Sequence, residues 1–289
     1  MLTADLLARV ESLLGARVTQ QRAVSGGYTP AVRLVCQTTS GSVFVKAGVT
    51  PLTAQFVRRE IAVYERIDEP FMPRLRAASV EGDVPVLIIE DLSDCTWPPP
   101  WDTRRVDSLI QQIREMHQRS TTLEPFEQVL GRFDSQWQSV ANAPQPFLTL
   151  GLATAHWLDR ALPELIAAEA LCSTVGDSLC HFDLRSDNLC FRGDTPILID
   201  WNLACRGNPR LDLGFLLPSL AWEGGPKPET ILPNAPEIAA LVCGFFAARA
   251  GLPDIIDAPY VRRVQREQLS AALPWLCRSI GLALPDVSH

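Results

Sequence analysis

The sequence is poor in the features that mark nucleic-acid binders, membrane proteins and secreted scaffolds. Its 289 residues hold 26 Lys and Arg against 33 Asp and Glu, a formal net charge of -7. The basic patch that a nucleic-acid partner requires is therefore not expected. No stretch approaches the roughly 20 apolar residues that cross a bilayer, so neither a transmembrane helix nor a membrane partner is expected. The opening Met1-Leu2-Thr3-Ala4-Asp5 has neither the basic start nor the apolar core of a secretion signal, and a cytoplasmic location is the expectation. The cysteines (Cys36, Cys95, Cys172, Cys180, Cys190, Cys205, Cys243 and Cys277) include no C-x-x-C pair and no histidine at ligand spacing. In a reducing compartment they read as small buried hydrophobes and not as disulfides or zinc ligands. No internal repeat is evident.

What is present is ordinary globular material, 47% hydrophobic and 20% charged, long enough for one large domain or two lobes. Residues 3–15 place Leu6, Leu7, Val10, Leu13 and Leu14 at helical spacing before Gly15. Three β-rich segments, 17–24, 31–37 and 42–47, are divided by turn-forming stretches and predict an antiparallel meander. A helix over 53–67 and a strand pair over 74–80 and 84–90 follow. Beyond the proline-rich Trp97-Pro98-Pro99-Pro100-Trp101 the pattern becomes helical, with helices expected near 104–120, 151–170, 211–222, 234–251 and 257–282. The composition shift places a boundary near residue 92, between a β-rich lobe, 1–91, and a mostly helical lobe, 92–289.

Two features of the first lobe suit phosphate. Paired glycines in Ser25-Gly26-Gly27-Tyr28-Thr29-Pro30 let the backbone approach a ligand, and the hydroxyls beside them can hold phosphate oxygens. Gly-Gly between strands is more often only a turn, but this one lies two strands ahead of Lys46. Alternation over residues 42–47 sets Phe44 and Lys46 on one side, so the ammonium points to an apolar face and needs an anionic partner.

The most specific stretch is Cys180-His-Phe-Asp183-Leu-Arg185-Ser-Asp187-Asn188, followed by the apolar run 196–199 and Asp200. His181, Asp183, Leu184 and Asn188 fit H-x-D-L-x-x-x-N, the layout of a kinase catalytic loop with its metal-binding aspartate downstream. A local turn rich in Asp and Asn would share part of this pattern. Phosphoryl transfer needs a carboxylate for the acceptor hydroxyl, oxygen ligands for Mg²⁺ and a cation for the phosphate charge. Asp183 suits the first, Asn188 and Asp200 the second, and Arg185 the third, because its guanidinium presents a fixed fork of donors. The same layout puts the glutamate that grips Lys46 on the helix over 53–67, at Glu60 in preference to Glu65.

Taken together, Gly26-Gly27, Lys46, Glu60, Glu90-Asp91-Leu92, the 181–188 loop and Asp200 resemble the aminoglycoside phosphotransferase and choline kinase-like family. The resemblance covers nearly the whole chain. It implies an α+β, bilobal protein-kinase-like fold, a β-rich N-terminal lobe with one helix and a mostly helical C-terminal lobe. It also implies ATP and Mg²⁺ as cofactors, with adenine against the Glu90 carbonyl and the Leu92 amide. Gly207-Asn-Pro-Arg-Leu-Asp212-Leu looks like the family's G-D-P-x-x-D-L segment, which assigns Asp212 to bracing the catalytic loop. His181 is read as a second loop brace, and His117 as a packed core residue.

The departures from the family pattern are informative. Arg185-Ser186-Asp187 replaces a common His-Pro-Gly, and Asp187 is read as conformational, since Asp tolerates a left-handed backbone. Asp200-Trp201-Asn202 replaces Asp-Phe-Gly. No Ser, Thr or Tyr lies between Asp200 and Pro218, so an activation loop of the protein-kinase type has no phosphate acceptor. A small molecule carrying a hydroxyl is the expected acceptor: an aminoglycoside-like antibiotic or other amine, choline, a sugar or an amino alcohol. Trp222 and Glu223 are candidates to meet an amine, although a helix end with a solvated glutamate and a buried tryptophan would look the same. A nucleotide-binding module without turnover is the competing class.

Overall fold

Runs of β-branched and aliphatic residues between turns build the first part of the chain. The computed structural model describes residues 3–24, 27–256 and 258–285. After the helix Ala4–Leu14 (α1), strands Val18–Ala23 (β1), Val32–Thr38 (β2), Gly41–Ala47 (β3), Leu75–Ser79 (β4) and Val86–Glu90 (β5) form one antiparallel sheet in the order β1-β2-β3-β5-β4. Alternation divides its residues. Val43, Val45, Ala47, Val86 and Ile88 pack with Val10 of α1 on one side, while Lys46 of β3 turns the other way, to the helix Pro51–Tyr64 (α2). α2 starts where it does because Thr50 and Thr53 cap each other reciprocally and Pro51 occupies the first turn.

Further elements follow along the chain: helices Thr103–His117 (α3), Phe126–Leu130 (α4), Gln136–Asn142 (α5), Gln145–Leu148 (α6) and Ala155–Glu169 (α7), strands Ser178–Cys180 (β6), Leu189–Arg192 (β7), Thr195–Leu198 (β8) and Cys205–Gly207 (β9), and helices Pro209–Trp222 (α8), Pro228–Ile231 (α9), Pro236–Ala247 (α10) and Val261–Ile280 (α11). β6 pairs with β9 and β7 with β8. The chain divides into two compact units, Met1–Pro98 with Asp187–Ala204 and Pro99–Ser186 with Cys205–His289. The first unit therefore holds the five-stranded sheet, α2 and the β7–β8 hairpin, and the second holds α3 to α11 with β6 and β9.

α10 is the buried centre of the second unit. It is apolar nearly all round, as a helix enclosed by others must be, and it packs against α5, α7, α8 and α11. The short α5 is held by a distant group. Glu169, 5% exposed at the end of α7, accepts hydrogen bonds from the Gln136 and Trp137 amides (2.9 and 3.1 Å) and from Ser135 Oγ (2.6 Å). Burial pushes this carboxyl up, and the three donors pull it back. The long helices and all five sheet strands are where periodicity puts them. α4 to α6, α9, β6 and β9 have no counterpart in the sequence pattern, being too short to show a period. The cysteines are all free, and no helix among the described residues is long and apolar enough to cross a membrane.

α8 and α10 approach closely at Gly214, where an added Cβ would lie 2.4 Å from Ile238 Cγ2. Alanine would gain about 1 kcal/mol of helix propensity, but it would meet a β-branched side chain that has one good rotamer in a helix. Overpacking of this kind costs about 1–3 kcal/mol. Gly214→Ala is therefore expected to lower the denaturant midpoint. A raised midpoint would mean that the α8–α10 contact gives way easily.

Candidate active site

In the first unit the site is built on a buried ammonium. Lys46 is 5% exposed, and its Nζ donates to Glu60 Oε2 at 2.7 Å and to Asp200 Oδ1 at 2.8 Å. β3 supplies the lysine and α2 the glutamate, so the position of α2 over the sheet is written into this contact. Burial opposes the Lys46 charge, yet Asp200 and Glu60 outweigh it and hold its pKa above the usual 10.5. With two carboxylates against one ammonium, Glu60 is the member pushed up, by burial first and by Asp200 besides, while Lys46 pulls it back. Its other oxygen accepts from the Trp201 amide at 3.3 Å.

Asp200 sits in the left-handed region, φ 64 and ψ 58, a conformation Asp tolerates better than most residues. The turn that follows is pinned from below. Trp201 is fully buried, donates from Nε1 to the Leu198 carbonyl at 2.8 Å and packs 5.8 Å from the Phe71 ring. Asn202 donates its amide to Asp200 Oδ1 in a short hydrogen bond. Asn188 is 5% exposed, and its carbonyl accepts from the Ile199 amide at 2.9 Å, which registers it against the strand leading to Asp200. One group had no sequence signal. The Tyr64 hydroxyl is buried without a hydrogen-bond partner among the described residues, and burial, then Glu60 and Asp200, push its pKa well up.

In the second unit the loop from His181 to Ser186 rests on Asp212, which is fully buried at the start of α8. Its carboxylate accepts from the His181 amide (2.9 Å), the Phe182 amide (2.7 Å) and His117 Nε2 (2.9 Å). Burial works against the charge, but His117 and the His181 amide prevail and hold the carboxyl below its usual 3.8. His181 Nδ1 accepts from the Asp183 amide at 3.2 Å. Cys180 lies beside His117 and Asp212, and burial pushes its thiol far up; the Asp212 carboxylate is taken up by His117 and the two loop amides, which makes the arrangement a brace for the loop.

Phe182 has a positive φ of 57, an outlier for an aromatic residue. Packing holds it there, edge-on to Phe126 with ring centroids 4.8 Å apart and above Gly207, where a Cβ would come within 2.8 Å of the ring. The next residue, Asp183, pairs through Oδ1 with Arg185 Nη1 at 3.0 Å. At the end of α8, Glu223 accepts from Ser186 Oγ through one oxygen and from Trp101 Nε1 (2.8 Å) through the other. Trp222 beside it is 53% exposed.

Of the remaining candidates, Ser25 and Gly26 lie outside the described residues. Gly27, Tyr28 and Thr29 border Arg33, whose guanidinium lies over Gly27 and donates to the Thr29 carbonyl (2.9 Å) and hydroxyl (3.1 Å). The Glu90 side chain accepts from the Arg74 amide at 3.2 Å and pairs with Arg192. Leu92 is buried in an apolar cluster with Cys190 and Ile197.

The model of the phosphotransferase enzyme family matches residues 20–247. The chain belongs to that family. Its structural neighbours share the kinase-like fold. A thermostable mutant of the aminoglycoside phosphotransferase APH(4)-Ia is 14% identical, with 95% of this chain and 98% of that one covered and a TM-score of 0.59. The choline kinase LicA from Streptococcus pneumoniae is 16% identical, with 95% and 98% covered and a TM-score of 0.61. The amicoumacin kinase hAmiN, solved in complex with AMP-PNP, Ca²⁺ and Ami, is 12% identical, with 93% of each chain covered and a TM-score of 0.55. At such identities the likeness carries the fold alone. Among curated protein sequences none matches.

The Asp212 brace has a pH signature. A carboxyl whose pKa is depressed on folding contributes stability above its ordinary 3.8, and that contribution is lost as pH falls through the lower folded value. Asp212→Asn is expected to cost about 1.5–3 kcal/mol near neutral pH, the range for a hydrogen bond to a charged group. The gap from the unaltered protein should close as the solution is acidified. Denaturant titrations from neutral to acid pH measure it, and a gap that ignores pH would show that the charge is not what holds the loop.

Proposed function

We propose that this member of the phosphotransferase enzyme family is an ATP- and Mg²⁺-dependent kinase that moves the γ-phosphate to a hydroxyl of a small molecule, with an amine-bearing acceptor favoured. The observation that carries the reading is the buried Lys46 held by Glu60 and Asp200. An ammonium kept charged in a nearly dry place, and oriented from two sides, is what nucleotide phosphates require. In this reading Lys46 grips those phosphates, Glu60 holds Lys46, and Gly26, Gly27 and their neighbours cover the nucleotide. The connector at Glu90 to Leu92 receives the adenine. The lobes that share these tasks are 1–91 and 92–289.

Asn188 and Asp200 offer hard oxygen donors of the kind Mg²⁺ prefers, and they are the residues that would hold it. When bound, the cation neutralises phosphate charge. Asp183 orients the acceptor hydroxyl and takes its proton, and its pairing with Arg185 holds both side chains in place. A guanidinium has five donors, so Arg185 can keep that bond and still meet the transferring phosphoryl group.

The solved neighbours support a small-molecule acceptor, since one is a choline kinase and another is held in a ternary complex with ADP and hygromycin B. A silent nucleotide-binding module is disfavoured because the carboxylate at 183 is retained together with its cationic partner. We assign the protein to the cytoplasm, and Trp222 and Glu223 to the acceptor side.

Asp183→Asn should lower kcat by about 10²–10⁴, the usual contribution of a general base, with Mg-ATP affinity little changed. Turnover within a few-fold of the unaltered enzyme would remove Asp183 from its role. Asp200→Ala should instead abolish Mg²⁺-dependent nucleotide binding in calorimetry. Arg185→Ala should lower kcat more than it raises the ATP KM, because charge on the transferring group peaks in the transition state. A pure KM effect would place Arg185 on the bound nucleotide.

A further inference from the structure

The second unit contains an open groove of about 770 Å³ along one face of α3, a volume in the range of small-molecule sites. Val106 and Ile110, both buried, line it together with Ile231, Gly224 and Gly225. Asp102, which also lines the groove, is engaged locally, accepting from the Arg105 amide and pairing with the Arg105 side chain; two further exposed charges of opposite sign, Asp107 and Arg114, belong to the lining as well. They are seven residues apart on one helix face, which separates them by about 10 Å along the axis. Neither has a hydrogen-bond or ion-pair partner among the described residues.

This charge arrangement selects a ligand chemistry. An apolar lining between an unpaired carboxylate and an unpaired guanidinium complements a molecule with a cation at one end, an anion at the other and hydrocarbon between. Trp101, at the Asp107 end, adds an aromatic wall next to the cation's place. Glu223 is less available for that cation, because each of its oxygens already accepts a hydrogen bond.

Those two bonds connect the groove to the catalytic loop. Trp101 donates to Glu223, Glu223 receives Ser186, and Ser186 follows the Arg185 that pairs with Asp183. We infer that the groove is a binding site for an amphipathic zwitterion, and that Trp101, Glu223 and Ser186 tie its occupancy to the loop that carries Asp183. Assigning the occupant to the acceptor rests on the kinase reading above; the binding itself does not.

The probe is 8-aminooctanoate, which has both charges and a hydrocarbon spacer but no hydroxyl to phosphorylate. Ligand-observed NMR with the whole chain should detect its binding, and protein-observed ¹H–¹⁵N spectra should show a shift of the Trp101 indole resonance, identified by its loss in Trp101→Phe. Octylamine and octanoate, each lacking one charge, should bind about tenfold more weakly. Asp107→Lys and Arg114→Glu should each weaken the probe by about the same factor. The double charge swap should restore it, because the probe can turn end for end. Equal binding of the three compounds, or binding that ignores both single substitutions, would overturn the site, and an unmoved indole signal would overturn the connection to the loop. Once an acceptor is identified, the probe should compete with it, and a failure to compete would show that the groove holds something else. If no hydroxylated compound is ever phosphorylated, the kinase reading falls while the binding result stands by itself.

Discussion

Taking an ammonium out of water is costly unless its charge is matched, and Lys46 makes that constraint the centre of the first unit. Its two carboxylate partners come from α2 and from the turn after β8, so three separate segments must be in register for the charge to be tolerated. Removing Lys46 would leave the two carboxylates facing each other without a counter-charge, which is far worse than replacing the whole group by apolar residues. Specificity of arrangement is therefore what the group contributes. A charge that is costly to bury is also one that a phosphate can use at full strength.

The second unit solves a related problem with the opposite sign. Asp212 is a buried carboxylate whose acceptor capacity is taken up by two loop amides and an imidazole. It holds the backbone of His181 and Phe182 in a conformation that Phe182 would not adopt alone. Aromatic packing and the bare Cα of Gly207 absorb the ring. Asp183 projects from this fixed backbone, so its position depends on side chains that never touch a reactant.

Fold does not assign an acceptor, because one scaffold carries many chemistries. What individualises this chain lies in the departures from its family. Ser186 stands where a proline is common, and its hydroxyl gives Glu223 a purchase on the loop. Trp101 closes the other side of the same carboxylate. Glu223, which with Trp222 suits an amine on the acceptor side, also accepts from Ser186 and Trp101 within the protein.

How much was legible in advance follows from the range over which each signal acts. Strand alternation, helical periodicity and the H-x-D-L-x-x-x-N spacing are local, and they sufficed for the five sheet strands, the long helices and the candidate set Lys46, Asp183, Asn188 and Asp200. Lys46 and Lys227 are the only lysines in the sequence, and one of them sits where an apolar strand face has no use for a charge unless it has a partner. The choice of Glu60 over Glu65 required a template, because both lie on one helix and only the docking of α2 decides which one faces β3. The short helices α4 to α6 escaped because a turn or two carries no period; α5 depends on Glu169, more than 30 residues away in the chain. Neither the buried Tyr64 hydroxyl nor the groove along α3 has any local signature, since each is defined by residues that meet only after packing. The sequence by itself determined which groups are available and on which face of each element they lie; the tertiary structure decided which of them meet, because burial, pairing and strain are properties of the packed chain.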